Sequence, residues 1–491
     1  MLVKGWFDAE ADACQNAADC AVRPGLLNPG VHAERQCTSD QGRAAIADDR
    51  CGNKNRTFTL QQGRDGSHRQ DFANSATVSP SFLTRKTRLM ETASAIQGKQ
   101  QDIAGWMITL LAAACGIIVA NLYYAQPLIG PIAAATGISP GAAGLIVTLA
   151  QVGYGLGLLF IVPAGDLLEN RKLVVSLMVI TCIALVGAAY ANNATQFFLA
   201  AFIIGVSSVG AQVLVPYAAH MSLPETRGRA VGNVMSGLLM GILLARPLAS
   251  LVADLLGWHA IFGLSAVAIA LLALVLLRYL PQRRPPAGMH YFALLASMWH
   301  LVKTTPVLRR RSMYHALAFA AFSLFWTTSP LWLASPAFNM SQQGIALFAF
   351  AGVIGVIAAP IAGRVADRGW SRPATGIAML SIAVAFLLTH FWSGGRESSL
   401  AVLLAAAILL DFGVSANLVL SQRAIYALGG EIRSRLNGLF MATFFGGGAL
   451  GSALGAWIYA EGGWSATSLL GFAFPAMALL YYFTEFRATA R

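Results

Sequence analysis

From Trp106 onward the chain alternates long apolar stretches with short polar ones. A helix needs roughly 17 to 25 apolar residues to cross a bilayer. Stretches of that length run near 106–128, 141–163, 173–191, 196–217, 230–252 and 258–280. A second set follows near 313–335, 342–363, 374–392, 399–421, 437–459 and 464–484. The pattern predicts an all-α polytopic membrane protein with twelve transmembrane helices, six and six. Residues 1 to about 100 break it: they are polar, rich in Asn, Gln, Asp and Arg, and lack sustained helical or strand periodicity. Such a segment cannot bury enough apolar surface to fold alone. No basic start leads into an apolar core, so no signal peptide is expected. Met90 opens "METASAIQGKQQDIAGWMITL", a short polar lead into the first span. Translation is expected to begin near Met90, with the upstream residues a misassigned start or a disordered tail, so 1–105 is set apart from the membrane region.

Composition sharpens the class. The chain is 56% hydrophobic and 11% charged, against roughly 45–50% and about 25% in soluble domains. Its net charge of +12 does not point to nucleic acid, because the basic residues sit in alternate loops rather than in one patch. Arg171, Lys172, Arg227, Arg229, Arg283, Arg284, Lys303, the run Arg309 to Arg311, Arg364, Arg368, Arg372, Arg423, Arg433, Arg435, Arg487 and Arg491 fall on one side. The intervening loops hold Arg396 alone. The positive-inside rule puts the basic side, and both termini, in the cytoplasm. Cys115 and Cys182 lie inside apolar spans as small hydrophobes, and Cys14, Cys20, Cys37 and Cys51 have neither zinc spacing nor an oxidising compartment.

At a constant offset of 206 residues, "ETRGRAVGNVMSGLLMGILLARPLASLVADLLGWHA" meets "EIRSRLNGLFMATFFGGGALGSALGAWIYAEGGWSA". Glu225, Arg227, Arg229, Gly232, Gly241, Gly257 and Trp258 match Glu431, Arg433, Arg435, Gly438, Gly447, Gly463 and Trp464. The fifth span therefore corresponds to the eleventh. A six-plus-six duplication implies two pseudo-symmetric six-helix bundles, 106–280 and 313–491, with a substrate path between them. The cytoplasmic linker 281–312 carries Phe292, Leu295, Trp299 and Val302 at helical spacing, which predicts an amphipathic helix on the cytoplasmic face.

Two motifs give the chain a family likeness. "GRVADRGWSR", between the eighth and ninth spans, supplies Gly363, Asp367, Arg368 and Arg372. "GDLLENRK", between the second and third, supplies Gly165, Glu169, Arg171 and Lys172, with Glu169 for an aspartate and Asn170 for an arginine. In the fifth span, Gly232, Gly241, Ala245 and Pro247 follow G-x8-G-x3-G-P loosely, with Arg246 in the proline place. On these residues the chain resembles the major facilitator superfamily, and within it the proton-coupled drug and metabolite efflux branch. The resemblance implies that fold over 106–484, a gating role for the two loop motifs, and antiport rather than symport. It also implies a plasma (bacterial inner) membrane location. An arginine expected in the fourth span is missing, its place being held by Ala201.

Polar groups at membrane depth face the interior or a wet cavity. Asn121, Tyr124, Gln126, Gln212, Trp326 and Thr327 are read as lining the substrate path, with Gln151 and Tyr154 behind them and Tyr123 as an interfacial aromatic. Asp411 is the one acid deep in the second half's apolar spans, while Asp254 lies near an outer end. Counting ~1.5 Å per residue, Asp411 lies about 18 Å and Arg246 about 14 Å from the outer face. At similar depth, a guanidinium favours the charged carboxylate and low dielectric disfavours it, so the two are candidates for proton coupling. Alternatively, Arg246 snorkels or caps carbonyls freed by Pro247. The expectation is a secondary transporter exporting small organic molecules against protons, with uptake symport as the alternative and a non-transporting receptor a remote one. The expected partners are a small-molecule substrate, protons and the lipid bilayer, with no nucleic acid and a monomeric state. No cofactor or metal is expected: no metal-ligand spacing, nucleophile–base pairing or G-x4-G-K-[ST] loop is present, so neither an enzyme nor an ATP-driven pump is indicated.

Overall fold

The computed structural model describes residues 103–283, 290–350, 352, 358–391, 395–429 and 432–489. The expectations for residues 1–102, Met90 included, and for Arg284 lie outside them. The described residues contain helices and turns and no strand. In chain order the helices are α1 Gly105–Ala120, α2 Ile129–Thr136, α3 Leu145–Phe160, α4 Asn170–Ala189, α5 Ala194–Ser207, α6 Gly210–Met221, α7 Arg227–Leu256 and α8 Trp258–Tyr279. Then come α9 Tyr291–Thr304, α10 Pro306–Ala334, α11 Gln342–Ala349, α12 Ala358–Asp367, α13 Ser371–Phe391, α14 Arg396–Tyr426 and α15 Arg433–Thr489. Among the described residues nine helical segments are long and apolar enough to cross a membrane. The apolar stretches overlap these helices over their described residues: the first lies partly on α1, the eighth partly on α11 and α12, and the last two on α15.

The helices begin and end where capping chemistry allows. Glu169 starts α4 by accepting from the Arg171 and Lys172 N–H groups at 2.9 and 3.1 Å. Asn193 starts α5 by accepting from Gln196 N–H at 3.0 Å. Each satisfies N–H groups that the first helical turn leaves orphaned. The repeat seen in the sequence has a backbone counterpart. Gly257 (φ 83°) separates α7 from α8, and its match Gly463 (φ 60°) breaks α15. A side chain is strained at such φ, so glycine turns the chain at both matched hairpins.

The first span departs from its expected form. α1 stops at Ala120, a 3-10 turn covers Gln126–Leu128, and α2 occupies Ile129–Thr136, which the sequence pattern had given to a loop. The cause is local. Asn121 Nδ2 donates to the Ile117 and Ile118 carbonyls at 2.9 and 3.1 Å, competing with the helix ladder, and Pro127 lacks an N–H.

The corresponding fifth and eleventh spans sit on the first and seventh through glycines. A Cβ on Gly241 would stand 2.2 Å from the Gly116 carbonyl oxygen, and one on Gly447 2.2 Å from that of Ala316. Between the halves, α3 runs along α15, where Thr148 and Ser452 hydroxyls lie 2.8 Å apart, and α11 packs on α7. α10 is the most enclosed of the long helices. Large apolar residues such as Ile183, Leu274, Ile377 and Leu480 are exposed on the outer faces, a surface that suits lipid rather than water.

The expected linker helix is present as α9, and of its apolar face Leu295 and Val302 are half-buried against the core. In α9, Leu294 and Met298 are buried, whereas Phe292 and Trp299 are 81% and 61% exposed. Tyr291 donates to the Phe160 carbonyl at 2.7 Å, and Arg435 Nη1 donates to Ser297 Oγ at 2.9 Å, so α9 touches both halves.

Candidate functional site

Arg246 lies in the middle of α7 with 4% of its surface exposed. It neither snorkels nor caps carbonyls: Nε donates to Gln126 Oε1 at 2.7 Å. The guanidinium lies over three rings, 4.5 Å from Trp326, 5.1 Å from Phe322 and 5.3 Å from Tyr123. Such contacts contribute about 0.5–1 kcal/mol when exposed and about 2 or more when desolvated. Phe322 and Trp326 are four residues apart on α10 and so share a face. Gln126 reaches the arginine because the break at Asn121 re-aims the chain into the 3-10 turn.

Asp411 on α14 is also buried, and its Oδ1 accepts from Trp326 Nε1 at 2.9 Å. On its other side Gly352 comes so close that a Cβ there would stand 2.5 Å from Oδ2. The two buried charges do not form an ion pair; among the described residues the one ion pair is Arg423 with Asp367. One tryptophan joins them, its ring face under the guanidinium and its ring N–H on the carboxylate.

The other residues expected on the path divide. Gln126 and Trp326 belong to this cluster, and Thr327 follows Trp326 on α10. Thr327 Oγ1, Gln126 Nε2, Arg246 Nη2 and Ser250 Oγ, one turn beyond Arg246, are buried with no hydrogen-bond partner among the described residues. Each costs about 1–3 kcal/mol if it stays unpaired. Tyr123, expected at the interface, is instead buried under the guanidinium. Asn121 does not join the cluster: its Oδ1 accepts from Ser265 Oγ at 2.7 Å, tying the first span to α8. It lines a small cleft inside the first half with Ala201, Phe197 and Phe262. Tyr124 is buried nearby, and Gln212 donates to Tyr154 Oη at 3.1 Å. Gln151 donates to Ser323 Oγ at 2.8 Å across the two halves. Phe322, Tyr123 and Ser250 were missed by sequence reasoning; Phe322 at i−4 from Trp326 and Ser250 at i+4 from Arg246 carried a helical-spacing signal.

The comparisons with known proteins bear on this arrangement. The Major Facilitator Superfamily model matches residues 108–395 and 338–490. The uncharacterized transporter YgaY of Escherichia coli is 39% identical over 78% of this chain and 97% of its own length. This chain belongs to the major facilitator superfamily. Transporter SCO4007 of Streptomyces coelicolor is 31% identical over 75% of this chain and 85% of its own. The chloramphenicol efflux pump Rv0191 of Mycobacterium tuberculosis is 25% identical over 59% and 70%. Among solved structures, the D-xylose-proton symporter matches with a TM-score of 0.63 over 77% of this chain and 97% of its own, at 14% identity. That likeness concerns the fold. The protein is thus a membrane-embedded secondary transporter of the facilitator type.

Within this facilitator the two loop motifs make different contacts. Glu169 caps its own helix, α4. Arg171 Nη1 reaches the carbonyls of Leu277 and Leu280 at 3.4 and 3.2 Å, closing the end of α8. Asn170 holds the loop, donating to the Gly165 carbonyl at 3.0 Å and accepting from Arg283 at 3.2 Å. In the second copy Asp367 pairs with Arg423 of α14, which also donates to the Gly363 carbonyl at 3.1 Å. The Arg372 carbonyl accepts from Tyr482 Oη at 2.9 Å; Arg368 and Lys172 are exposed. In the fifth-span motif, Ala245 and Pro247 are buried beside Arg246, and Gly232 is buried near the start of α7.

Proposed function

We propose that this facilitator couples the movement of small organic molecules to protons by alternating access, with Asp411 as the protonatable group and Arg246 as the charge that responds to it. The buried line Arg246, Trp326, Asp411 carries this reading. It joins α7 of the first half to α10 and α14 of the second. Loading a proton on Asp411 removes the charge that balances Arg246 and weakens a charge-assisted bond from Trp326. Both changes fall on contacts between helices that must separate when the path opens. The two halves, 106–280 and 313–491, move as units about the site, and the Glu169 and Asp367 loops set the cytoplasmic end of that motion.

Export in exchange for protons is supported by the efflux pump among the relatives and by the small-residue contact of α7 with α1 at Gly241. Uptake by symport is the second reading. It is favoured by the lone guanidinium, which loses its balancing charge whenever Asp411 takes up a proton. In either case the protein works as a monomer in a bacterial inner membrane, with both termini and the linker on the cytoplasmic side.

The test is transport by purified protein in proteoliposomes under an imposed pH gradient, with radiolabelled chloramphenicol, organic carboxylates and organic amines as solutes. The Asp411→Asn variant is expected to lose accumulation against the gradient while retaining solute exchange between equal pools. Continued accumulation by Asp411→Asn with a pH gradient as the sole driving force would remove the coupling role.

A further inference from the structure

We infer that the donors around Arg246 form the binding site for an organic anion, a carboxylate carried on a planar apolar body. This rests on the proton-coupling reading of Asp411 but not on the direction of transport.

The chemistry of the site is one-sided. A guanidinium has only donors, so Gln126 must offer it the amide oxygen, as it does at 2.7 Å. The amide NH2 of Gln126 is then left facing away. That leaves two N–H groups, Gln126 Nε2 and Arg246 Nη2, both buried and both without a partner among the described residues. The hydroxyls of Ser250 and Thr327 are in the same condition, and a hydroxyl donates as readily as it accepts. Buried donors of this kind require an acceptor. The one carboxylate in the cluster, Asp411, is bonded to Trp326 and makes no ion pair with the arginine. An incoming carboxylate satisfies buried N–H donors, one of them on a guanidinium, better than a neutral carbonyl does, because guanidinium–carboxylate bonds are charge-assisted. The rings of Tyr123, Phe322 and Trp326 surround the same guanidinium and supply apolar surface for the rest of the molecule.

Charge accounting then fixes the sign of the coupling. The titratable groups acting on Arg246 are Asp411 and Tyr123, and the charge acting on Asp411 is Arg246. Gln126, Phe322, Trp326 and Gly352 face the pair without charge. An ionised Asp411 and a bound carboxylate are therefore two anions sharing one guanidinium, and each weakens the hold of the other. A proton on Asp411 releases the arginine for the ligand. By linkage a bound anion favours that proton equally. This is the sign of proton–anion co-transport, so an anionic substrate selects the symport reading over export by exchange.

The experiment uses the full-length protein in lipid nanodiscs, with benzoate, 2-naphthoate and indole-3-acetate as probes and their neutral amides as controls. All three acids stay ionised between pH 6 and pH 8. At least one acid is expected to bind about tenfold more tightly than its amide, and more tightly at pH 6 than at pH 8. Arg246→Gln is expected to erase the preference for acid over amide, and Gln126→Leu to reduce it, which serves where the arginine variant does not fold. Asp411→Asn is expected to bind the acid at pH 8 as tightly as the unaltered protein does at pH 6. Equal binding of acids and amides, no binding of any acid, an unchanged preference in both cluster variants, or weaker acid binding in Asp411→Asn overturns the proposal. The coupling reading fails separately. It falls if Asp411→Asn still concentrates solute on a pH gradient in vesicles, whatever the charge of that solute.

Discussion

Trp326 makes the clearest residue-scale case, because its two functions can be separated. Its ring face holds the guanidinium of Arg246, and its N–H holds the carboxylate of Asp411. Trp326→Phe keeps an aromatic face and removes the donor, leaving a buried carboxylate oxygen short of one hydrogen bond. That loss costs about 1–3 kcal/mol. Trp326→Ala removes the ring as well and opens a cavity, at about 3–5 kcal/mol. Thermal unfolding of the purified protein is expected to rank the unaltered chain above Trp326→Phe and that above Trp326→Ala. Proton-driven transport is expected to fall steeply already in Trp326→Phe; full transport in that variant would confine the tryptophan to a packing role. Arg246 and Asp411 were legible as charges inside apolar runs, and Gln126 as a polar group in the first span. The link between them was not legible, since a tryptophan in an apolar helix reads equally well as core, lipid contact or interface.

At the scale of elements, the repeat shows which glycines matter. Gly241 and Gly447 match at the 206-residue offset, and each lets a fifth-type helix touch the backbone of a first-type helix. Gly263, in α8, has nothing within 4 Å of an added Cβ. Gly241→Ala and Gly447→Ala are each expected to destabilise the protein by about 1–3 kcal/mol through overpacking, whereas Gly263→Ala is expected to leave the unfolding temperature unchanged. Equal behaviour of all three variants would show that the seam tolerates separation. Gly232 and Gly241 were singled out from the motif, but the close approach to α1 uses Gly237 and Gly241. The spacing was visible in the chain, and the register against α1 was not. The break in the first span has a similar lesson. Asn121 and Pro127 are both in plain sight, yet the helix resumes after them and runs to a left-handed cap at Gly137.

For the whole molecule, the distribution of basic residues predicts that Asn193 and Asn339 lie outside and the linker near Trp299 inside. Single cysteines at these positions, probed on intact cells with an impermeant thiol reagent, should label at Asn193 and Asn339 and stay protected at Trp299. The reverse labelling would invert the topology. The all-helical class and the alternation of basic and charge-poor loops were set by the sequence alone, because the bilayer acts on them one segment at a time, through apolar length and loop charge. The 206-residue duplication was likewise written in the chain, and the matched glycines at 257 and 463 turn it in the same way. What only the tertiary structure decided is which side chains meet. It put Arg246 on Gln126 and over Trp326, turned Asp411 to the indole rather than the arginine, moved Tyr123 from the interface to the interior, and exposed Phe292 and Trp299 of α9. Lipid is about as apolar as the space between helices, so a helix that is apolar all round carries no hydrophobic stripe to say which face points inward. That rotation is settled by packing, at close approaches such as Gly241 on Gly116, and by the few polar groups that must find partners inside.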